Sequence, residues 1–220
     1  MSKTEQRITA YHEAGHAVVA HYLPNADPVR KVTIMPRGIS GGSTLFLPDE
    51  DLAYMTRSRL KDQIVVALGG RAAEQIVFDE ITTGASSDLE RVSKLARAMV
   101  TRFGMSDKLG PMMYGQKEEL IFLGREISEQ RDYSEAVAEE IDSEVRLIVN
   151  AAYDEARHIL RTHRDKLDTV AQRLLEVETI DGHEFLEMIG VQPASHEAEA
   201  VEPLLTPLET AEEPVDQPGD

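Results

Sequence analysis

The stretch His12-Glu13-Ala14-Gly15-His16 lies inside a run from Thr4 to Leu23 whose apolar residues recur at intervals of three and four. That spacing predicts an amphipathic helix. Residues four apart lie one above the other on a helix, so His12 and His16 present two imidazoles on one face, about one turn apart. The same face carries the apolar stripe and should be buried, where two neutral imidazoles need polar partners. A shared metal ion would satisfy both rings.

Glu13 lies one position further along this helix, about 100° round its axis. It can reach a water on such a metal without being a ligand itself. The spacing is the H-E-x-x-H pattern typical of zinc peptidases, in which the glutamate acts as general base. The competing interpretation is two core histidines and a surface glutamate that share this spacing by chance. The motif favours the metal site.

Composition narrows the possible classes of protein. The chain has 220 residues, 41% of them apolar, a formal net charge of -17 and no cysteine. This is enough for one large domain or one domain with a tail, and so acidic a chain argues against a nucleic-acid partner. Any metal site must use His, Asp and Glu. No apolar run approaches the roughly 18 residues of a membrane span, and no signal peptide pattern opens the chain, so we expect this chain itself to be soluble.

The residue patterns predict more helix than strand. Alternation indicates two strands, at Val29 to Met35 and Ser43 to Leu47, and no others are convincing. Helical periodicity is found at 4–22, 55–78, about 88–103, 134–162, 166–177 and 181–189. We therefore expect a mainly α protein of the α+β type: a zincin-like metal helix, a small two-strand or mixed sheet, and a helical bundle. The glycine pair Gly69-Gly70 predicts a close backbone approach, perhaps to the metal helix.

Beyond Gly190 the composition changes abruptly. Residues 193–220 hold five of the ten prolines, eight acidic residues and no lysine or arginine. Such a segment cannot bury enough apolar surface to order itself. We expect one folded domain over residues 1–190 and a disordered Pro/Glu-rich acidic tail over residues 191–220; a docking peptide around Leu204-Leu205 is the alternative.

A catalytic zinc takes three protein ligands, so two histidines leave one missing. Asp88 is the best candidate, because it opens a helix after a glycine-bearing turn, although acids are also favoured there by the helix dipole alone. Glu74 is the rival, since it lies on the Gly-Gly helix beside two alanines. The residues by themselves leave this choice open. The other histidines are in polar or surface contexts and are expected to be bystanders: His21, His158, His163, His183 and His196.

The second predicted strand is a candidate for binding substrate. It is short, preceded by glycines, and expected at a sheet edge, where an extended polypeptide can add to it by main-chain hydrogen bonds. The residues concerned are Gly41, Gly42, Ser43, Thr44 and Leu45. The alternative is an ordinary hairpin strand.

Four segments, in the same order, resemble the protease domain of the FtsH family of membrane-anchored, ATP-dependent zinc metalloproteases, peptidase family M41. They are Tyr11-His12-Glu13-Ala14-Gly15-His16-Ala17, Gly69-Gly70-Arg71-Ala72-Ala73-Glu74, Thr83-Gly84-Ala85-Ser86-Ser87-Asp88-Leu89 and Phe103-Gly104-Met105-Ser106, followed by Leu109-Gly110-Pro111. The resemblance covers roughly Thr4 to Ile189. It implies a zinc endopeptidase with one Zn²⁺ per chain. It further implies that His12, His16 and Asp88 are the ligands and Glu13 the base, with Glu74 in a supporting role.

The resemblance also implies the setting of the domain. Family members form homo-hexamers and degrade unfolded or misassembled polypeptides. Their membrane segments and AAA ATPase module precede the protease domain, which faces the cytoplasm or the equivalent organellar compartment. ATP is accordingly expected of a parent protein's ATPase module and not of these residues.

Two other functions compete with the protease. One is a non-catalytic interaction module, in which zinc merely joins the first helix to a helical bundle. Glu13 argues against it, because a structural zinc site has no use for a base and usually has four protein ligands. The other is a zinc hydrolase acting on a small molecule, which the edge-strand candidate makes less attractive.

Overall fold

The computed structural model describes residues 1–36, 41–48, 53–115 and 132–190. In these ranges the helices and strands are α1 (Lys3–His21), β1 (Val29–Thr33), β2 (Ser43–Phe46), α2 (Arg57–Phe78), α3 (Ser86–Thr101), α4 (Glu135–Thr162), α5 (Arg164–Val177), β3 (Thr179–Asp181) and α6 (Gly182–Ile189). The expected mainly α fold with a small sheet is confirmed. The predicted acidic tail lies outside the described residues. None of the described helices combines the length and apolar character needed to cross a bilayer.

Helix α1 begins at a capping box and continues into the protein interior. The Ser2 hydroxyl accepts a hydrogen bond from the backbone N–H of Glu5, and the Glu5 carboxylate accepts one from the backbone N–H of Ser2. This reciprocal pair satisfies amides that have no partner within the helix. From Ala10 to His21 every residue is buried. The three polar residues of the H-E-x-x-H motif therefore lie in the core and not at the surface.

Helices α1 and α2 cross with their backbones in close contact. A Cβ added to Gly15 would lie 2.5 Å from the carbonyl oxygen of Gly69 and 2.7 Å from Cβ of Ala73. A Cβ added to Gly69 would lie 2.8 Å from the carbonyl oxygen of Gly15. Only glycine allows this separation at the crossing. The close approach that the glycine pair predicted is confirmed, and α1 is the helix it approaches.

The sheet has the strand order β2-β1-β3 and is antiparallel throughout. Strand β1 is central: its Val32 pairs with Thr44 of β2 on one side and with Ile180 of β3 on the other. The expectation of only two strands is therefore wrong, and so is the option of a mixed sheet. Strand β3 has three residues between two helices, which is too short for alternation to reveal. Strand β2 lies at an edge of the described sheet, as expected.

The remaining helices enclose the α1–α2 pair. Helix α4 packs along α2, α5 packs against α1, and α3 contacts both α2 and α4. The largest completely buried side chains come from several of these elements; they include Ile64, Leu68, Leu160, Leu167, Ile180 and Phe185. One continuous apolar core therefore holds the metal helix from several sides.

Helix α3 begins without a side-chain cap, because a 3-10 turn at Thr83–Ala85 leads directly into it. The side chain of Thr82 accepts from the backbone N–H of Gly84 and so caps that turn instead. The helix ends at Thr101, close to the predicted end, and Phe103 beyond it is 52% exposed. Asp88 does fall in the first turn of α3, as predicted.

The glycine crossing generates a stability prediction. Gly15→Ala should lower the free energy of unfolding by about 1–3 kcal/mol, because the added methyl group meets the backbone of α2 and overpacking outweighs the better helix propensity of alanine. Urea denaturation followed by circular dichroism measures the change. Ser58→Ala, in the exposed first turn of α2, is the control and should change little. An unchanged or raised stability in Gly15→Ala would contradict the close crossing.

Candidate metal centre and catalytic cleft

Three side chains from two helices meet in the interior. His12 and His16 of α1 bring their Nε2 atoms to 3.0 Å from one another. Oδ2 of Asp88, from the first turn of α3, lies 3.3 Å from Nε2 of His12 and 3.5 Å from Nε2 of His16. Among the described residues, these three form the group of side chains placed to share a metal ion. The ligand set implied by the resemblance is thus brought together at one point.

The outer nitrogens of both rings are already in use. Nδ1 of His12 lies 2.7 Å from Oε1 of Glu74, and Nδ1 of His16 lies 2.8 Å from the carbonyl oxygen of Val66. A carboxylate and a carbonyl can only accept, so each Nδ1 carries the proton and donates it. In neutral rings both Nε2 atoms are then lone-pair acceptors. Together with Asp88 they make three acceptors that face each other, an arrangement that requires a cation.

The spacing of these atoms suits zinc. Bonds from zinc to nitrogen or oxygen are about 2.0–2.2 Å long, so the edges of a tetrahedron around it measure about 3.3–3.6 Å. The observed separations of 3.0, 3.3 and 3.5 Å lie at or close to these edges. A zinc ion held by these three protein atoms would keep a fourth position for a water. The residues present therefore fit the zinc ion that the resemblance implies.

Glu74 lies behind His12. Its carboxylate is buried, with Oε1 at His12 and Oε2 accepting a hydrogen bond of 2.8 Å from the backbone N–H of Thr82. Burial by itself would raise the pKa of Glu74, but these hydrogen bonds outweigh it and lower the pKa. A Cβ on Gly70 would lie 2.5 Å from Nε2 of His12, so a glycine is needed beside the ring. Glu74 thus contacts Nδ1 of His12, whereas Nε2 faces His16 and Asp88, and Glu74 is not a member of that group of three.

The charges around His12 set its protonation when no metal is bound. Burial disfavours the charged ring, but the carboxylates of Asp88 and Glu74 outweigh burial and raise the pKa of His12 to about 9. Burial likewise opposes ionisation of Asp88, but hydrogen bonds to the two histidines lower its pKa well below the usual range. In the absence of metal, a proton on His12 supplies the positive charge that this group of acceptors needs.

Glu13 lies beside the metal group and is held by the edge strand. Its side chain is 7% exposed. Its Oε2 accepts a hydrogen bond of 2.7 Å from the hydroxyl of Thr44 in β2. Gly42, just before β2, also packs closely against Glu13. A Cβ on Gly42 would lie 3.0 Å from Cγ of Glu13 and 2.7 Å from the carbonyl oxygen of Thr33. The Glu13 carboxylate is therefore enclosed between α1 and the start of β2.

These groups line one cleft of about 830 Å³. Its walls include His12, Glu13, His16 and Asp88, and also Gly41, Gly42, Ser43, Thr44 and Phe46. Of the five predicted substrate residues, Leu45 does not line the cleft; its side chain is 46% exposed. The edge strand and the metal group thus share a cleft, and the substrate role of the strand stays a prediction.

The other histidines among the described residues are separate from the metal group. One expectation about them is wrong: His21 is buried and packs edge-on against Tyr22 and Phe185. His196 lies outside the described residues. The sequence analysis also missed the contact from Thr44 to Glu13, because 31 residues of chain separate the two and no periodicity relates them.

Two histidines one helical turn apart, a carboxylate from a second helix and a buried glutamate beside them are typical of metal-dependent hydrolases. The family model of peptidase family M41 matches residues 1–188. The chain therefore belongs to peptidase family M41.

Its relatives carry a consistent name. The chain is 57% identical over 192 residues to the ATP-dependent zinc metalloprotease FtsH of Chloroflexus aggregans, covering 86% of this chain and 29% of the relative. It is 55% identical over 185 residues to ATP-dependent zinc metalloprotease FtsH 1 of Sphaerobacter thermophilus, covering 84% of this chain and 28% of the relative. The chain thus spans less than a third of the length of these relatives.

The contact between Glu74 and His12 predicts an effect on metal affinity. Glu74→Gln removes the negative charge behind the ring and should weaken zinc binding by about 10- to 100-fold. Competition with a fluorescent chelator measures the dissociation constant. Glu80→Gln, an exposed residue of the following loop, is the matched control and should bind zinc as the wild type does. Equal affinities in all three proteins would show that Glu74 does not support the ligand.

The pKa of His12 predicts how stability depends on pH without metal. The folded pKa of about 9 exceeds the ordinary value of 6.5. The charged ring therefore stabilises the metal-free fold fully below about pH 6.5 and stops doing so as pH rises through about 9. Tm of the chelator-treated protein should fall between pH 7 and pH 9.5, and zinc should raise Tm more at the higher pH. A metal-free Tm that rises across this interval would contradict the assignment.

Proposed function

We propose that residues 1–190 form the zinc endopeptidase domain of a longer ATP-dependent protease. The observation that carries this proposal is the meeting of three acceptor atoms, from His12, His16 and Asp88, beside the buried carboxylate of Glu13. The relatives are named as ATP-dependent zinc metalloproteases, which supports zinc as the metal and proteolysis as the activity.

His12, His16 and Asp88 would hold the zinc. When bound, zinc lowers the pKa of a coordinated water towards 7 and polarises the carbonyl of the substrate. Glu74 and the carbonyl oxygen of Val66 hold the proton of each neutral ring on Nδ1, which leaves Nε2 as the atom that faces the metal, and they fix the ring orientations. These contacts prepare the ligands before any metal arrives.

Glu13 is the proposed general base. It accepts a proton from the water that attacks the scissile carbonyl and returns that proton to the departing amine. It is buried and lines the same cleft as His12, His16 and Asp88, which supports this role. Proton transfer by one side chain thus serves both halves of the hydrolysis.

The proposed substrate is an extended polypeptide. Strand β2 lies at an edge of the described sheet, and the residues before and within it line the same cleft as Glu13. An edge strand can bind a peptide through main-chain hydrogen bonds, which read the backbone more than the side chains. Such binding suits a protease that degrades unfolded or misassembled proteins of many sequences.

The assembly, the ATPase module and the location of the parent protein are proposed from the family. We infer a homo-hexamer whose AAA ATPase module feeds substrate to this domain, with membrane segments in the parent protein. The protease domain then faces the cytoplasm or the equivalent organellar compartment. A non-catalytic zinc-joined module is the competing function. That function does not account for the buried Glu13. Burying its charge is costly, and a structural metal site does not need a general base.

The role of Glu13 is tested by Glu13→Gln. The amide keeps the shape and the contact of the side chain but cannot accept the proton, so hydrolysis should fall by about 10²- to 10⁴-fold while zinc stays stoichiometric. The measurements are release of label from fluorescein-labelled β-casein and zinc content by mass spectrometry.

Two controls make this result interpretable. Glu90→Gln makes the same chemical change on the exposed face of α3 and should keep full activity. Chelation followed by return of zinc should abolish and then restore wild-type hydrolysis. Full activity in Glu13→Gln would exclude Glu13 as the base, and zinc-loaded wild type without hydrolysis would favour the non-catalytic module.

A further inference from the structure

We propose that Thr44 is a positioning residue for Glu13: its hydroxyl holds the carboxylate so that one oxygen stays directed at the reacting water. This inference rests on the proposed function, because it concerns the same base. It assigns to the edge strand a task in catalysis besides any contact with substrate.

The hydrogen bond is specific to one oxygen. Oγ1 of Thr44 lies 2.7 Å from Oε2 of Glu13 and 3.2 Å from the backbone carbonyl oxygen of the same residue. A hydroxyl has one proton to donate, and a bond to an ionised carboxylate is shorter and stronger than one to a neutral carbonyl. The shorter contact therefore receives the proton. Oε2 is occupied by Thr44, and Oε1 is left for the water.

A glutamate needs such a restraint. Its side chain has three rotatable bonds. Displacing a general base by about 1 Å lowers the rate of the reaction even when the base itself is unchanged. Among the residues that the structure describes, Thr44 is the side chain that forms a hydrogen bond with the Glu13 carboxylate. The rings of His12 and His16 already have their own restraints in Glu74 and Val66. Thr44 gives the base the equivalent support.

The fold around Thr44 is built for close contact with α1. Thr44 pairs with Val32 of the central strand, and this register fixes the position of Thr44 in the sheet. Two residues earlier, Gly42 has no space for a Cβ between Cγ of Glu13 and the carbonyl oxygen of Thr33. The glycine lets β2 come near enough for a 2.7 Å hydrogen bond. A peptide added to the outer edge of β2 would therefore be aligned by the same strand that aligns the base.

Thr44→Val tests the inference, because valine keeps the branched shape and removes the donor. We expect kcat on fluorescein-labelled β-casein to fall by about 10- to 100-fold, the range for losing one hydrogen bond to a charged group. KM should change less than about twofold, since uniform substrate binding is untouched. Thr44→Ser restores the donor and should recover kcat to within about threefold.

Thr33→Val is the matched control. Thr33 is a strand threonine like Thr44, although it is buried and Thr44 only partly so, and its hydroxyl lies 2.7 Å from Oγ1 of Thr179 and does not contact Glu13. Its loss should lower Tm and leave kcat near the wild-type value. The inference is overturned if Thr44→Val keeps wild-type kcat, if Thr44→Ser is as slow as Thr44→Val, or if only KM changes.

Crystal structures of the zinc-bound variants separate this inference from the proposed function. The Glu13 carboxylate should keep its wild-type position in Thr44→Ser and rotate away in Thr44→Val. If the zinc-loaded wild type does not hydrolyse casein, the proposed function fails, and the Glu13 position in these crystals still decides whether Thr44 holds it. An unmoved Glu13 in Thr44→Val would refute the positioning role.

Discussion

The close contact of α1 with α2 at Gly15 and Gly69 is the constraint on which the rest of the site depends. Because the two backbones touch, the carbonyl oxygen of Val66 comes within hydrogen-bond distance of His16, and Glu74, one turn beyond Gly70, reaches His12. A larger separation would leave both rings without the groups that orient them. The contacts of His12 and His16 thus depend on the distance between the axes of α1 and α2, and the glycines at the crossing set that distance.

Metal and fold are coupled in this arrangement. Three acceptors are held at 3.0–3.5 Å by elements that also form the core, so their mutual repulsion acts against the folded state until a cation binds. The proton on His12 compensates in part, which is the physical cause of its raised pKa. Binding of metal then removes a repulsion as well as adding bonds, so its free energy contributes to folding. A metal ion bound by His12, His16 and Asp88 would in this way also join α1 to α3.

The sequence predicted those parts of the site that follow from one helix and left open those that depend on tertiary distance. The spacing of His12 and His16 is a property of α1, so it could be inferred directly. Asp88 and Glu74 were rivals because both approach His12, one at each nitrogen, and no local pattern says which nitrogen faces the cleft. The resemblance to the family, and not the residues alone, favoured Asp88. Two further features could not be predicted from local patterns. Thr44 meets Glu13 through the pairing of strands, and β3 has too few residues to show an alternating pattern.

The central position of β1 links the two ends of the described fold. One side of β1 pairs with β2, which carries Thr44, and the other side pairs with β3, which comes after α5. Detaching the last strand and helix would deprive β1 of half its main-chain partners, and its loosening would pass directly to the strand beside Glu13. Amide protons of β1 should therefore exchange with solvent only when the whole unit opens, and not in a local fluctuation. Through β1, the residues around 180 are thus connected to the strand whose Thr44 holds the carboxylate of Glu13.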